Sequence, residues 1–470
     1  MPGFHIENFG CRAARADAEA IAGRLHALAE SEPSAADVVV VNTCSVTAEA
    51  DRAARAFIRK TYRRNPAARI VVTGCYAQRA PHELASLAGV AAVVGNSHKA
   101  LVPEVIFGLA QPANQPPASS PALVPIQSLL TASTPPSVPV WADGRFAHSF
   151  IEDANLGATH LLPGVQTRPN LKIQEGCGNR CTFCVIPFTR GPSKSLNCAV
   201  ILRQVDRFVA NGGNELVLSG INLGRWGRDL PPEPGSPRTL ASLVQAILDQ
   251  TDLPRLRLSS IEPMDWDEDL ISLMRAHAGI RIARHAHLPL QSGSDSVLRR
   301  MHRRYRPWHY AARVSALLSA VGPDLTLGAD VMVGFPGETD REFDETLAFL
   351  RDLPFGYLHL FPFSPRPATG AWALHATVPV PPATARRRID TLRALAAEKT
   401  RAHRSRFIGR QLSAITLNTP SALAALERTA ALTENYLPVE LDTSLPANRL
   451  LQVRATAINA EGTLLASEIR

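Results

Sequence analysis

The chain is poor in cysteine, with seven in 470 residues. That odd number, scattered over so long a polypeptide, does not make a disulfide framework. It also lacks any uninterrupted apolar run of the length a bilayer demands, so no transmembrane helix is expected. The opening residues, MPGFHIENFGC, contain neither a basic segment nor an apolar one of the kind that directs secretion. Together these absences imply a cytoplasmic location, reduced thiols and no membrane partner. Acidic residues are in the minority, 42 against 50 Lys and Arg, giving a net charge of +8 and a pI near 9.4. A polyanionic partner suits that balance, although charge alone does not name one. Apolar residues make up 45%, ample for the cores of two to four domains.

What cysteine there is, is concentrated. Cys177, Cys181 and Cys184 form a C-x3-C-x2-C run within LKIQEGCGNRCTFCVIPFTRGPSKS. Four thiolates would close a tetrahedral zinc site or saturate a cubane cluster, whereas three leave one iron open to a substrate. The spacing resembles the signature of radical S-adenosylmethionine (SAM) enzymes, whose open iron chelates SAM. A zinc knuckle completed by a distant His or by Cys198 is the competing arrangement.

Before this run, residues 4–8, 37–43, 69–73 and 91–94 read as strands, with helices near 12–29, 47–64 and 81–87. Near-continuous apolar stretches such as VVVV suit parallel strands buried on both faces, which predicts a small doubly wound α/β domain over 1–110. The first three strands each run into a cysteine: Cys11, Cys44 and Cys75. Parallel strands bring their carboxyl ends to one edge, so these thiols should converge on a second three-cysteine centre. A Pro-, Ala- and Ser-rich linker follows over 111–169, with two regular-looking patches at 140–146 and 149–153.

A second alternation, placed at 170–408, has strands at 170–175, 215–219, 255–260, 285–290, 326–333 and 357–362. Its helices fall at 199–210, 240–250, 266–276, 307–320, 340–351 and 384–404. Six βα units predict an open, partial (β/α)6 barrel whose chemistry lies at the strand carboxyl ends. Ser219, Gly220, Glu262, Gln291, Gly334, Gly337 and Glu338 fall there and are the candidate SAM-binding residues. Residues 384–410 carry nine Lys or Arg against Asp390 and Glu398. The remaining 409–470 alternates apolar and polar residues, as a small antiparallel barrel would. Two further basic sets suggest RNA: Arg52, Arg55, Arg59 and Arg63 at helical spacing, and LRRMHRRYR, where Tyr305 could stack on a base.

NTCSVT, TGCYAQ, the cysteine run, LSGINLGRWGRDL, LSSIEPMD, HLPLQSGSDSVLRRMHRRY, GADVMVGFPGETDREFDETL and LHLFPFSPRPATG occur in the order found in the methylthiotransferase family of radical SAM enzymes, which the chain resembles over most of its length. GINLGRWG, SSIEP and QSGSDSVLRRMHRRY look most like the tRNA enzymes that convert N6-threonylcarbamoyladenosine, beside the anticodon, to its 2-methylthio form. Sister groups act on isopentenyladenosine in tRNA or on an aspartate of a ribosomal protein. The resemblance implies two [4Fe–4S] clusters, one on Cys177, Cys181 and Cys184 that binds SAM, and an auxiliary one on Cys11, Cys44 and Cys75. It also implies a reductant such as flavodoxin or ferredoxin, and a TRAM-like RNA-binding module at the carboxyl end. Arg401, Arg404 and Arg406 are candidate tRNA-binding residues. Arg190 or Arg366 is the candidate cation for the threonylcarbamoyl carboxylate in the barrel mouth. The chain departs from the family pattern at Ala14, where Asn is common, and at Ala368-Thr369-Gly370, where Gly-Thr-Pro is common.

Two other classes compete: an iron–sulfur or zinc protein that only binds RNA, and a redox carrier. The strand-end motifs argue against the first and the basic segment against the second.

Overall fold

The computed structural model describes residues 2–25, 27–110, 138–146, 150 and 167–469. The chain divides into two compact units, residues 1–154 with 185–191, and residues 155–184 with 192–470.

The first unit is a parallel sheet. Its strands are β1 (Gly3–Asn8), β2 (Ala29–Glu30), β3 (Val38–Thr43), β4 (Arg69–Gly74), β5 (Val90–Gly95) and β6 (Val140–Trp141). They pair in the order β2-β1-β3-β4-β5-β6, every pair parallel. Successive side chains of a strand point to opposite faces, so the VVVV run feeds both. Val39 and Val41 pack with Ile58 and Leu84, while Val38 and Val40 pack with Ile21, Leu25 and Ile106. Each valine buried in this way contributes about 1.5–3 kcal/mol, which is why the run cannot sit at an edge. The helix Ala48–Arg64 starts where Thr47 accepts a hydrogen bond from Ala50 N (3.2 Å). Part of the expected linker belongs to this sheet: Val140 and Trp141 continue it beside β5. The 149–153 patch, apart from Phe150, lies outside the described residues.

The second unit opens with β7 (Asn170–Glu175), β8 (Lys194–Ser195), β9 (Glu215–Gly220) and β10 (Arg255–Leu258). It continues with β11 (His285–His287), β12 (Thr326–Val333) and β13 (Phe355–Pro362). Except for β8, which runs antiparallel beside β7, the strands are parallel and follow chain order across the sheets β10-β9-β7-β8 and β11-β12-β13. Single parallel bridges, Ser260 to His287 and Leu256 to Ile282, join the two sheets. This is the open six-strand βα barrel read from the sequence. Its fifth helix, Asp340–Asp352, begins with a capping box in which Thr339 and Glu342 satisfy each other's backbone.

The C-terminal strands β14 (Gln411–Thr416), β15 (Thr429–Thr433), β16 (Pro438–Leu441), β17 (Leu450–Ile458) and β18 (Leu464–Glu468) close into a barrel. Four of its pairings are antiparallel, but β16 and β18 run parallel, which a purely antiparallel reading did not anticipate. It docks on the amino ends of the βα strands: Arg257 donates to Thr433 O (3.1 Å), Arg284 pairs with Glu434 (2.6 Å), and Tyr436 stacks on His285 at 4.4 Å.

Candidate metal centres

In the first unit, β1, β3 and β4 are neighbours, and each hands the chain to a cysteine at its carboxyl end. Cys11 is exposed at the start of the helix Arg12–Arg24, while Cys44 and Cys75 are buried. Gly74 makes the last turn with φ +97°; a Cβ there would lie 2.3 Å from Thr43 O, so only glycine delivers Cys75. Burial first, then the nearby Cys75 and Cys11, push the Cys44 thiol up to about 12. A cationic centre bound among the thiols would relieve that opposition to ionisation at Cys44. Donors already address the sulfurs: Val46 N lies 3.4 Å from Cys44 Sγ, and Asn96 Nδ2 (3.4 Å) and Arg190 Nε (3.2 Å) approach Cys75 Sγ. Hydrogen bonds to ligand sulfur are among the means by which proteins tune iron–sulfur clusters, and these residues fit one.

Arg190 is a correction. It does not wait in the barrel mouth for a substrate carboxylate but lies fully buried in the first unit. There it meets Asp17 Oδ2 at 3.2 Å, and Lys99 Nζ reaches the same oxygen at 2.6 Å. A buried guanidinium held by Asp17 on one side and by Cys75 Sγ on the other leaves Arg190 no freedom to reach a substrate.

In the second unit, Cys177, Cys181 and Cys184 occupy the loop after β7, partly exposed. Asn179 N (3.4 Å) and Asn222 Nδ2 (3.5 Å) approach Cys177 Sγ, and Arg303 lies 3.2 Å from Cys181 Sγ. The loop is pinned at Thr182, whose Oγ1 donates to Arg300 O (2.9 Å) and whose N donates to Met301 O (3.2 Å). Arg303 is buried and also pairs with Glu262. LRRMHRRYR, expected to meet RNA, thus places one of its arginines at the cysteine loop, a role that no local signal in the sequence carries. Tyr305 is likewise corrected. Its ring is 1% exposed and its hydroxyl lies 2.7 Å from the carbonyls of Pro289 and Leu290, so it cannot stack on a base.

The candidate SAM residues divide. Ser219 Oγ, Asn222 Oδ1 and Gln291 Oε1 are buried without a partner among the described residues, a costly state that a polar ligand would relieve. Gln291 also holds φ +67°, a left-handed conformation fixed by bonds to Asp330 O (2.7 Å) and from Met332 N (2.9 Å). Gly220 packs beside Gln174, whose Oε1 accepts from Asn222 N (2.6 Å). Glu262, next to the cysteine loop, is engaged by Arg303. In the Gly334–Glu338 turn, Glu338 accepts from Gly334 N and from Arg388, both at 2.8 Å, and Gly337 N donates to Val378 O (2.8 Å). Glu338 therefore closes its own loop onto the helix Pro382–Ser405, and Gly334 and Gly337 shape that turn. Arg366 is buried at the end of β13.

Of the cations expected to meet tRNA, Arg401 is exposed, whereas Arg404 is half-buried and donates to Gly462 O. Arg406 donates to Pro323 O at 2.7 Å. Arg52, Arg59 and Arg63 are exposed along the helix Ala48–Arg64, but Arg55 turns to Tyr76 and Glu83. Cys198 is partly exposed at the head of its helix. Among the described residues no helix is long and apolar enough to cross a membrane.

Residues 3–95 match the uncharacterized protein family UPF0004, and residues 171–350 match the radical SAM superfamily. The threonylcarbamoyladenosine tRNA methylthiotransferase MtaB of Aquifex aeolicus is 32% identical over 95% of this chain and 98% of its own length. The protein of the same name from Rickettsia prowazekii is 32% identical over 96% and 94%. A tRNA-2-methylthio-N(6)-dimethylallyladenosine synthase from Endomicrobium trichonymphae is 30% identical over 80% of this chain and 79% of its own. In architecture, the radical SAM methyltransferase TsrM from Kitasatospora setae superposes with a TM-score of 0.52 at 14% identity, covering 79% of this chain and 77% of that one. That likeness concerns the fold alone.

Proposed function

The chain belongs to the methylthiotransferase family of radical SAM enzymes, and on that premise we propose that it converts N6-threonylcarbamoyladenosine next to the tRNA anticodon to the 2-methylthio derivative. The observation that carries this reading is the pairing of two three-thiol sets, one in each unit, in which N–H donors address ligand sulfur. Carbon 2 of adenine bears an unactivated C–H bond that acid–base catalysis does not open. When bound, two [4Fe–4S] clusters and SAM would supply the radical that removes that hydrogen and the methyl group, with the sulfur brought from an exogenous donor.

The chain's own residues ligate, orient and exclude water. Cys11, Cys44 and Cys75 hold the auxiliary cluster in the domain at 1–110, and Cys177, Cys181 and Cys184 hold the SAM cluster in the barrel at 170–408. Arg303 and Asn222 fix the sulfurs of the barrel loop. Ser219, Asn222 and Gln291 offer unpaired polar atoms to SAM. Arg366 is retained as the cation for the threonylcarbamoyl carboxylate. The barrel at 409–470 and the exposed Arg386, Arg387 and Arg401 receive the tRNA backbone. A flavodoxin or ferredoxin supplies electrons.

The test is turnover by the reconstituted enzyme on tRNA carrying N6-threonylcarbamoyladenosine, isopentenyladenosine or unmodified adenosine, read by nucleoside mass spectrometry. A 2-methylthio product on the first alone is expected. Equal rates on all three, or modification of a ribosomal protein only, would overturn the assignment.

A further inference from the structure

Three adjacent strands of the βα barrel bring His287, Asp330 and His359 together on one face. Asp330 and His359 are direct partners in the β12–β13 ladder, and His287 pairs with Gly328, two residues before Asp330 and therefore on the same side. Asp330 Oδ1 lies 3.3 Å from His287 Nε2 and 3.2 Å from His359 Nδ1, and one ligand atom from each residue falls within 4.8 Å of the others. None of the three belongs to the cysteine sets.

A tetrahedral ion with bonds of about 2.0–2.1 Å places its ligand atoms roughly 3.3 Å apart. Two edges of this triangle already have that length. The third closes by rotation of the His359 ring, whose side chain is 55% exposed. His287 is held as metal-bound histidines are: Ser260 Oγ lies 2.5 Å from its Nδ1, which orients the ring and leaves Nε2 pointing at the centre. That Nε2 is buried and makes no aligned hydrogen bond among the described residues. A hydrogen-bonded trio without an ion would have used it. The Asp330 carboxylate, set between two imidazole nitrogens at 3.3 and 3.2 Å, supplies the anionic ligand that a cation pairs with.

We propose that His287, Asp330 and His359 form a binding site for one divalent transition-metal ion, distinct from both iron–sulfur centres. Two imidazoles and a carboxylate suit zinc and ferrous iron alike. Three protein ligands leave a further position for an oxygen ligand.

Elemental analysis of the anaerobically reconstituted, desalted holoenzyme distinguishes the ions. Zinc near one equivalent, or iron one atom above the roughly eight of two cubanes, is expected. Titration with Zn2+ against a chromophoric chelator then gives the affinity. Asp330→Asn and His359→Ala should each lose the additional ion and weaken Zn2+ binding at least tenfold, with cluster iron and visible absorption unchanged. Ser260→Ala should weaken it by about tenfold through loss of ring orientation. His359 is exposed and Asp330→Asn is isosteric, so both variants fold. Equal Zn2+ stoichiometry and affinity in the unmutated protein and these two variants would overturn the proposal. Neither result depends on which nucleoside the enzyme modifies.

Discussion

Glu215 offers a sharp test of what holds the C-terminal barrel in register with the βα strands. Its side chain is fully buried and faces three guanidinium groups: Arg257 at 2.8 Å, Arg255 at 3.2 Å and Arg168 at 3.3 Å. Arg257 continues to Thr433 O, and Arg255 to Ser413, so the carboxylate anchors the two arginines that reach the C-terminal barrel. Burial alone would raise the Glu215 pKa, yet Arg257 and Arg168 outweigh it and hold it at about 2, against an ordinary 4.5. At about 1.4 kcal/mol per tenfold, that depression corresponds to about 3 kcal/mol of stability. Because the folded pKa is the lower one, this stability is present above pH 4.5 and drains away as the pH falls toward 2. Glu215→Gln removes the charge and leaves three cations facing one another. The variant should lose about 3–5 kcal/mol at pH 7, lowering the melting temperature by roughly 6–12 °C. Scanning calorimetry of both proteins at pH 7 and in steps down to pH 3 reads the effect, and the gap between them should narrow on acidification. Identical melting at pH 7, or a gap independent of pH, would refute the reasoning.

Replacing Cys177, Cys181 and Cys184 together with Ala should leave about half of the roughly eight irons and abolish SAM cleavage, measured by iron assay and 5′-deoxyadenosine chromatography. Cys44→Ala should keep dithionite-driven SAM cleavage and form no methylthio nucleoside; loss of both activities in a folded protein would contradict the division of labour. Asp17→Asn removes the negative charge that faces the buried Arg190 and Lys99, so a loss of about 3–5 kcal/mol, together with auxiliary iron, is expected from melting curves and iron content. Reversing the exposed Arg386, Arg387 and Arg401 to Glu should weaken tRNA binding at low salt and flatten the plot of log affinity against log salt by close to one for each phosphate no longer neutralised. The same change at Arg404, whose guanidinium already serves Gly462 O, should instead lower stability.

The sequence by itself determined what is local and periodic. Four consecutive valines read as a strand buried on both faces, because burial on one face cannot accommodate all four. The helix at 340–351 followed from its local apolar period, and the Thr339–Glu342 capping box that starts it is built within four residues. The placement of Cys11, Cys44 and Cys75 at strand ends followed from the same reasoning, since parallel strands share one carboxyl edge. The tertiary structure alone decided what each charged side chain does. Arg190 and Arg303 look equally free in the sequence; one meets Asp17 from 173 positions away and the other lies against Cys181 across 122. Tyr305 read as a base-stacking ring among cations, yet carbonyls 15 and 16 residues back take its hydroxyl and the core takes its ring. His287, Asp330 and His359, on three separate strands, share no pattern along the chain. An amphipathic period encodes which face is buried, but the partner of a buried charge is set by strand register and packing across long stretches of chain, and no local signal carries that information.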